Sequence, residues 1–345
     1  MNMKSLRLLA SVFLLIATLT ACDALRSAAT HKVTSQGAPY ELVVVCNQPE
    51  WDSQLGDSLR TILSGYIPYL NQEESTFDVL RITNQSYDGL IAKHRNILEV
   101  NIQPSIKEPS IAVRYDVAAA PQIVLTLQAP SIESATEYVS QHRESLVKGV
   151  QIAERDRAVA FANEYSVKHI DKVIEDKFGV SMKIPTGYTV RQDSEDLLWI
   201  SNEYPVASQG AIIYSYPADF GINSLSEENL VEARNKYTAM IPGPSDGSYM
   251  TTFTEVPQIY RPIRINGRLW VEMRGLWDVV GDFMGGPYVS YSTIDEETQS
   301  VFTLDCYVYS PKYGKRNYLH GVEHLVYNVK FDEPNKESNA ENEAL

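Results

Sequence analysis

The sequence predicts an α+β protein of two lobes, with a mixed α/β lobe followed by a mainly antiparallel sheet lobe with flanking helices. Three observations carry this. A length of 345 residues is about two domains' worth at roughly 150 residues each. Short apolar strands alternate with amphipathic helices up to a helix-stopping glycine, Gly179. Beyond it, strand patterns separated by tight turns dominate, and Asn266-Gly267 gives the clearest hairpin signal because both residues tolerate the positive φ of a type I′ turn.

In chain order, Lys4 and Arg7 precede the apolar run 8–17, and small residues follow at Thr20 and Ala21. That is the layout of a secretory signal, and the apolar run is shorter than the roughly 20 residues that span a bilayer. It ends Leu19-Thr20-Ala21-Cys22. This resembles the lipobox of bacterial lipoproteins, which implies that residues 1–21 are a removed signal and that Cys22 becomes a diacylated, palmitate-bearing first residue. Two or more acyl chains anchor a protein stably. Residues 22–37, rich in Ser, Ala and Thr, read as a flexible tether.

Residues 40–45 read as a buried strand, and Asp52 as the cap of a helix whose inner face is Leu55, Leu59, Ile62 and Leu63. Strands follow at 77–82, 97–102, 111–117 and 123–127, with a short helical stretch after Ser86. Ser131 with Glu133 opens a largely helical region. A second helix with Val167, Ile170, Val173, Ile174 and Phe178 on one face closes at Gly179. The N-terminal lobe is thus 38–179 and the C-terminal lobe 180–331. The second lobe has strands at 182–190, 197–201 and 211–216. Ser224 and Glu227 make a capping box ahead of Leu230, Ala233, Tyr237 and Met240. The Asn266-Gly267 hairpin follows, then a second hairpin of 288–293 with 301–310 and a last helix from about 315 to 327. Residues 332–345 read as an acidic, disordered tail.

The formal net charge is −14, from 30 Lys and Arg against 44 Asp and Glu. Losing Lys4 and Arg7 with the signal takes it to −16. Nucleic acid is excluded as a partner, because phosphate neutralisation needs clustered positive charge. A basic patch for anionic headgroups is lacking too, so the lipid is the expected sole hold on the membrane. Three cysteines make no disulfide scaffold. After lipidation of Cys22, Cys46 and Cys306 remain, and an exported compartment would permit a bridge between them. Both also lie in apolar strands, where cysteine behaves as a small buried hydrophobe.

Several runs carry a family resemblance: residues 39–46, Trp199-Ile200-Ser201-Asn202, Tyr214-Ser215-Tyr216-Pro217, residues 241–250, Arg274-Gly275-Leu276-Trp277 and Gly281-Asp282-Phe283-Met284-Gly285-Gly286-Pro287. They resemble an uncharacterised lipoprotein family of Bacteroidetes, the domain of unknown function 4837, over nearly the whole mature chain. The resemblance implies a membrane-anchored lipoprotein of the cell envelope and supplies no activity, cofactor or catalytic residue. The second lobe is also loosely similar to the PsbP-like α/β sandwich.

Two chemical motifs compete with a non-enzymatic reading. His320-Gly321-Val322-Glu323-His324 fits the His-x-x-Glu-His pattern of inverted zinc peptidases. The apolar stripe of that helix, Tyr318, Leu319, Val322, Leu325, Val326 and Val329, lies opposite the two histidines at 100° per residue, so the imidazoles are expected in solvent. Gly243-Pro244-Ser245-Asp246-Gly247 matches Gly-x-Ser-x-Gly. A nucleophile elbow needs a strand entering and a helix leaving, and here the order is reversed, so Ser245 is expected in a turn. The 21 Tyr and 4 Trp fit aromatic cross-strand pairs. The loops 241–249 and 281–287 border strands carrying Tyr249, Arg274, Trp277, Asp282 and Tyr288, a layout that suits a cleft for an envelope protein or glycan. The expectation is a binding or assembly factor, against an envelope hydrolase using His320, Glu323 and His324 or Ser245.

Overall fold

A computed structural model describes residues 32–331. The signal 1–21, Cys22 and the tail 332–345 lie outside the described residues. The fold is α+β, in two units: residues up to Ser58 with Val79–Gln141, and Leu59–Asp78 with the chain from His142 onward.

In the first unit, β1 (Glu41–Val45) is buried along nearly its whole length, as its run of branched apolar residues requires. A short helix α1 (Gln48–Trp51) ends at Asp52, and α2 (Gln54–Leu63) then begins with Leu55 N–H donating to Ser53 Oγ at 3.2 Å. The cap is therefore Ser53, because the extra turn of α1 claims Asp52. β2 (Asp78–Ile82), β3 (Asn96–Ile102), β4 (Ser110–Tyr115) and β5 (Ile123–Ala129) complete a sheet of order β2-β1-β3-β5-β4. β1, β3 and β5 are parallel, and β4 returns antiparallel to β5. α3 (Ile132–Gln141) follows, capped by Ser131, whose hydroxyl accepts from Ser134 N–H at 3.3 Å. The end of the expected tether is pinned here: Ser35 N–H donates to Ala120 O and Gln36 N–H to Lys93 O, so backbone pairing holds 34–36 in place.

The second unit takes the long helix α4 (Arg143–Glu164) and α5 (Lys168–Phe178), which ends at Gly179 with φ 65°. β6 (Val180–Ser181) is two residues long, and the next strand, β7, is Thr189–Ser194. The expected strand 182–190 is broken because Pro185 lacks an N–H and Gly187 sits at φ 102°. Just before Pro185, Asp171 holds the chain by accepting from Ile184 N–H at 2.9 Å. β8 (Leu197–Glu203) and β9 (Ser208–Pro217) precede α6 (Glu227–Thr238). The cap of α6 is Ser226, which accepts from Asn229 N–H, and Ser224 instead lies within the preceding 3-10 turn (Gly221–Leu225), accepting from Phe220 N–H. That inserted turn shifts the helix start by two residues.

The remaining elements are β10 (Tyr249–Phe253), β11 (Ile259–Ile265), β12 (Arg268–Val280), β13 (Gly285–Asp295), β14 (Ser300–Tyr309), α7 (Arg316–Glu323), a 3-10 turn at His324–Asn328 and β15 (Lys330–Phe331). The sheet runs β10-β12-β13-β14-β9-β8-β7, antiparallel throughout, with β11 on the first half of β12. Asn266 and Gly267, at φ 50° and 82°, make the expected turn between β11 and β12. Both faces of the sheet are covered. On one, Trp270, Val289, Tyr291, Phe302 and Leu304 pack with Ile170 and Ile174 of α5 and Leu319 and Val322 of α7. On the other, Val271, Met273, Trp277, Tyr288 and Tyr307 pack with Leu230 and Tyr237 of α6.

Candidate functional site

The start of α7 is held by a carboxylate. Glu74 accepts from Lys315 N–H at 2.6 Å and Arg316 N–H at 3.0 Å, satisfying N-terminal donors of the helix where negative charge is favoured. Arg316 in turn forks onto Asp78. So fixed, α7 lays Leu319 and Val322 on the sheet.

His320 and His324 do not face solvent. Their exposures are 7% and 8%, and Glu323 is buried as well. The apolar stripe predicted one covered side of the helix, but α4 packs against the 324–328 turn, with the Arg155 guanidinium 4.6 Å from the Tyr327 ring centre. Arg274 reaches in from β12 to donate to Glu323 Oε2 at 2.5 Å. His320 Nδ1 pairs with the other carboxylate oxygen. Arg274 also donates through Nε to Glu272 at 2.9 Å, and Glu272 receives Arg261 at 2.8 Å. The His320 and His324 rings lie nearly parallel, 6.1 Å apart.

These neighbours set the charges. Burial opposes ionisation of Glu323 most strongly, yet Arg274, His320 and His324 together outweigh it and hold the carboxyl well below its usual range. Burial pushes His324 down to about 3, with Glu323 opposing and His320, Arg155 and Arg274 reinforcing. Burial also works against Arg274, but Glu323, Tyr291 and Glu272 keep it charged.

The ligand-capable atoms of His320, Glu323 and His324 lie within 4.8 Å of one another. The donor set still does not suit an inverted zinc peptidase. Such a site needs Glu323 as a base beside a metal-bound water, and here each oxygen of Glu323 is engaged, one of them by a guanidinium. A dication would also stand beside Arg274.

The opposite face holds a second buried pair that the pattern reading missed. Arg234 of α6 donates to Asp305 of β14 through Nε at 2.7 Å and Nη2 at 3.3 Å, and through Nη1 to Thr252 at 2.7 Å. Its guanidinium lies 3.6 Å from the centre of the Tyr288 ring. The signal was present: Arg234 falls one turn after Leu230 on the buried side of α6, and Asp305 is a lone acid in an apolar strand.

The expected cleft residues do not line one surface. Arg274 and Trp277 are three apart on β12, so the period of two sends them to opposite faces. Arg274 lies under α7, and Trp277 and Tyr288 are buried on the α6 face, with Trp277 Nε1 donating to Val308 O at 3.1 Å. Tyr249 and Asp282 alone of the five stay at the loop end. There the two loops do meet: Ser245 donates its hydroxyl to Asp282, and Asp282 also accepts from Phe283 N–H at 2.6 Å. The Ser245 hydroxyl, and then this N–H, lower the Asp282 carboxyl. Ser245 therefore sits in a turn against an ionised acid, and His320, the base that chain order offered, is committed to Glu323. Phe283 stands bare at the tip, 104% exposed.

Cys46 and Cys306 are both held as buried thiols. Each is used inside its own unit: Cys46 Sγ donates to Asn47 O at 3.6 Å and Cys306 Sγ to Val322 O at 3.4 Å. Burial pushes the Cys306 thiol well up, which disfavours the thiolate needed for exchange. The bridge between them is not made.

The arrangement defines an α+β protein whose buried charges neutralise one another. Residues 167–328 match the family model described as Domain of unknown function (DUF4837), and residues 35–161 match a second, Domain of unknown function (DUF8532). The likeness expected over the whole mature chain is thus divided between two models. No curated protein matches. Among solved structures, "Human StarD13 (DLC2) lipid transfer and protein localization domain" is similar at 10% identity, covering 47% of this chain and 90% of that one with a TM-score of 0.21.

Proposed function

We propose that this chain is a non-enzymatic binding or assembly protein of a bacterial cell envelope, held at the membrane by lipid on Cys22. The observation that carries the non-enzymatic reading is the Arg274–Glu323 contact. It occupies the one carboxylate that a His-x-x-Glu-His site would need free. The Leu19-Thr20-Ala21-Cys22 run supports the lipid anchor, and an envelope lipoprotein of Bacteroidetes is what the sequence resemblance implies. No helix among the described residues is long and apolar enough to cross a membrane. The joined loops around Tyr249, Ser245 and Asp282, with Phe283 projecting, are the surface offered to an envelope protein or glycan.

Metal analysis tests the reading most directly. The full chain, purified in detergent and dialysed against zinc, is expected to retain far less than one zinc per chain, with no change in His324→Ala. One zinc per chain that disappears in His324→Ala would establish the hydrolase class instead. The anchor is tested separately: Cys22→Ser is expected to move the protein from the membrane to the soluble fraction and to abolish palmitate incorporation. Retention of this variant in the membrane would rule out lipid as the attachment.

A further inference from the structure

β4 is one of the two outer strands of the first unit's sheet. Its register with β5 pairs Ile111 with Leu127, Val113 with Leu125 and Tyr115 with Ile123. Directly opposed residues in an antiparallel pair point to the same face. Ile123, Leu125 and Leu127 are buried, but Val113 is 48% and Tyr115 65% exposed. Among the described residues, the apolar face of the sheet therefore runs past its cover onto an open edge.

The backbone of that edge has a defined direction. Asp116 N–H donates to Gln122 O at 2.9 Å, toward β5. Across the trans peptide the Tyr115 carbonyl then points away, and by the alternation of an antiparallel ladder the N–H and C=O groups of 111, 113 and 115 all face outward. Two other outer strands, β7 and β2, are blunted in the ways edges usually are. β7 is polar, carries Arg191 and Asp193, and is bulged between Val190 and Gln192. β2 is short and carries Asp78 and Arg81. The charge on β4, Arg114, is already spent on Glu99 at 2.6 Å, and it points to the opposite face from Val113.

We propose that β4 is a self-association edge, at which a second copy of this chain adds antiparallel in register about Val113. That register is the one in which the outward groups of both strands meet. It makes 113–113′ and the two 111–115′ pairs hydrogen-bonded, and it sets Val against Val and Ile against Tyr on the uncovered apolar face. Such pairs are the stabilising unit of a sheet. The contact is isologous, as a closed two-fold dimer requires. Ala112 lies opposite Arg114′, so no like charges are opposed directly. The occupant is a second copy because the strand complements itself in pattern and in hydrogen bonding.

Sedimentation of the full chain in density-matched detergent is expected to give twice the monomer mass. Val113→Pro removes an outward N–H that β5 does not use, a setting in which an edge strand tolerates proline. It is expected to sediment as monomer with an unchanged thermal midpoint. Should the proline disturb folding, Val113→Lys provides the second test, because it opposes two ammonium groups across the axis and should also give monomer. Val113→Cys should cross-link to a dimer under mild oxidant while wild type does not, since hydrogen-bonded pairs stand about 5.5 Å apart at Cα, within disulfide range. A monomeric wild type overturns the proposal, as does a dimer that survives both substitutions. A monomer in which the 113 and 115 amides exchange slowly also overturns it, and would show that the chain's own terminal segment covers the edge.

Discussion

Acidification from pH 7.5 to pH 5 is expected to weaken the fold by about 2 kcal/mol, and His324 is the main cause. Its ordinary value is 6.5 and its folded value about 3. Below pH 6.5 the unfolded chain therefore takes up a proton that the folded chain refuses. Stability rises with pH wherever the unfolded state binds more protons. The contribution is thus fully present above pH 6.5 and is lost as pH falls toward 3, at roughly 1.4 kcal/mol per unit. Over the whole interval the loss is about 5 kcal/mol, comparable with the entire stability of many domains. Glu323 adds in the same direction but lower down. Its folded value lies well below the ordinary 4.5, so its share is present above 4.5 and lost beneath it. Thermal midpoints measured at pH 7.5, 6.5, 5.5 and 5.0 check this. His324→Gln should flatten the profile between pH 6.5 and 5, leaving the steeper loss below 4.5. Equal midpoints for wild type at pH 7.5 and 5.0 would refute the assignment.

Arg234→Met is expected to cost about 3–5 kcal/mol at pH 7, the usual penalty for orphaning one member of a buried ion pair. The guanidinium and the Asp305 carboxylate have no exposed side-chain surface, and Thr252 and the Tyr288 ring complete the enclosure. Burial already pushes the Asp305 carboxyl up, and Arg234 pulls it back only in part. Without Arg234 the acid should protonate, so the penalty of Arg234→Met should shrink as pH falls. Asp305→Leu behaves differently, because a guanidinium cannot shed its proton in the accessible range, and its penalty should persist to low pH. The double variant Arg234→Met, Asp305→Leu should recover most of the loss, since replacing both partners with apolar groups is often neutral. Urea melts of the four proteins give the coupling as a double-mutant cycle. Strictly additive losses would mean that the two side chains are not coupled.

The parts of the fold legible in the sequence are those governed by neighbours along the chain. Asn266-Gly267 turns where its two positive φ values allow. Gly179 stops α5 in the left-handed region for the same reason, and the 288–293 with 301–310 hairpin forms within β13 and β14. Boundaries slipped where a local competitor intervened: Ser53 in place of Asp52, Ser226 in place of Ser224, and Pro185 with Gly187 inside the expected strand. The site was less legible. The five expected cleft residues are near one another in sequence, but Arg274 and Trp277 belong to opposite faces of β12. The helical stripe predicts solvent for His320 and His324 because it reports one contact surface, and α7 has two.

Composition and local pattern were enough to establish an acidic α+β chain with a lipobox-like start and to place most strands and turns. These follow from steric and hydrogen-bonding rules that act over a few residues. Only the tertiary structure decided that Glu323 answers to Arg274, that Arg234 and Asp305 neutralise each other inside the sheet's second layer, and that β4 ends its sheet with an apolar, outward-bonding edge. Each of these joins residues tens of positions apart or depends on what fails to cover a strand. Burial by a distant element leaves no periodic trace in the segment that it buries.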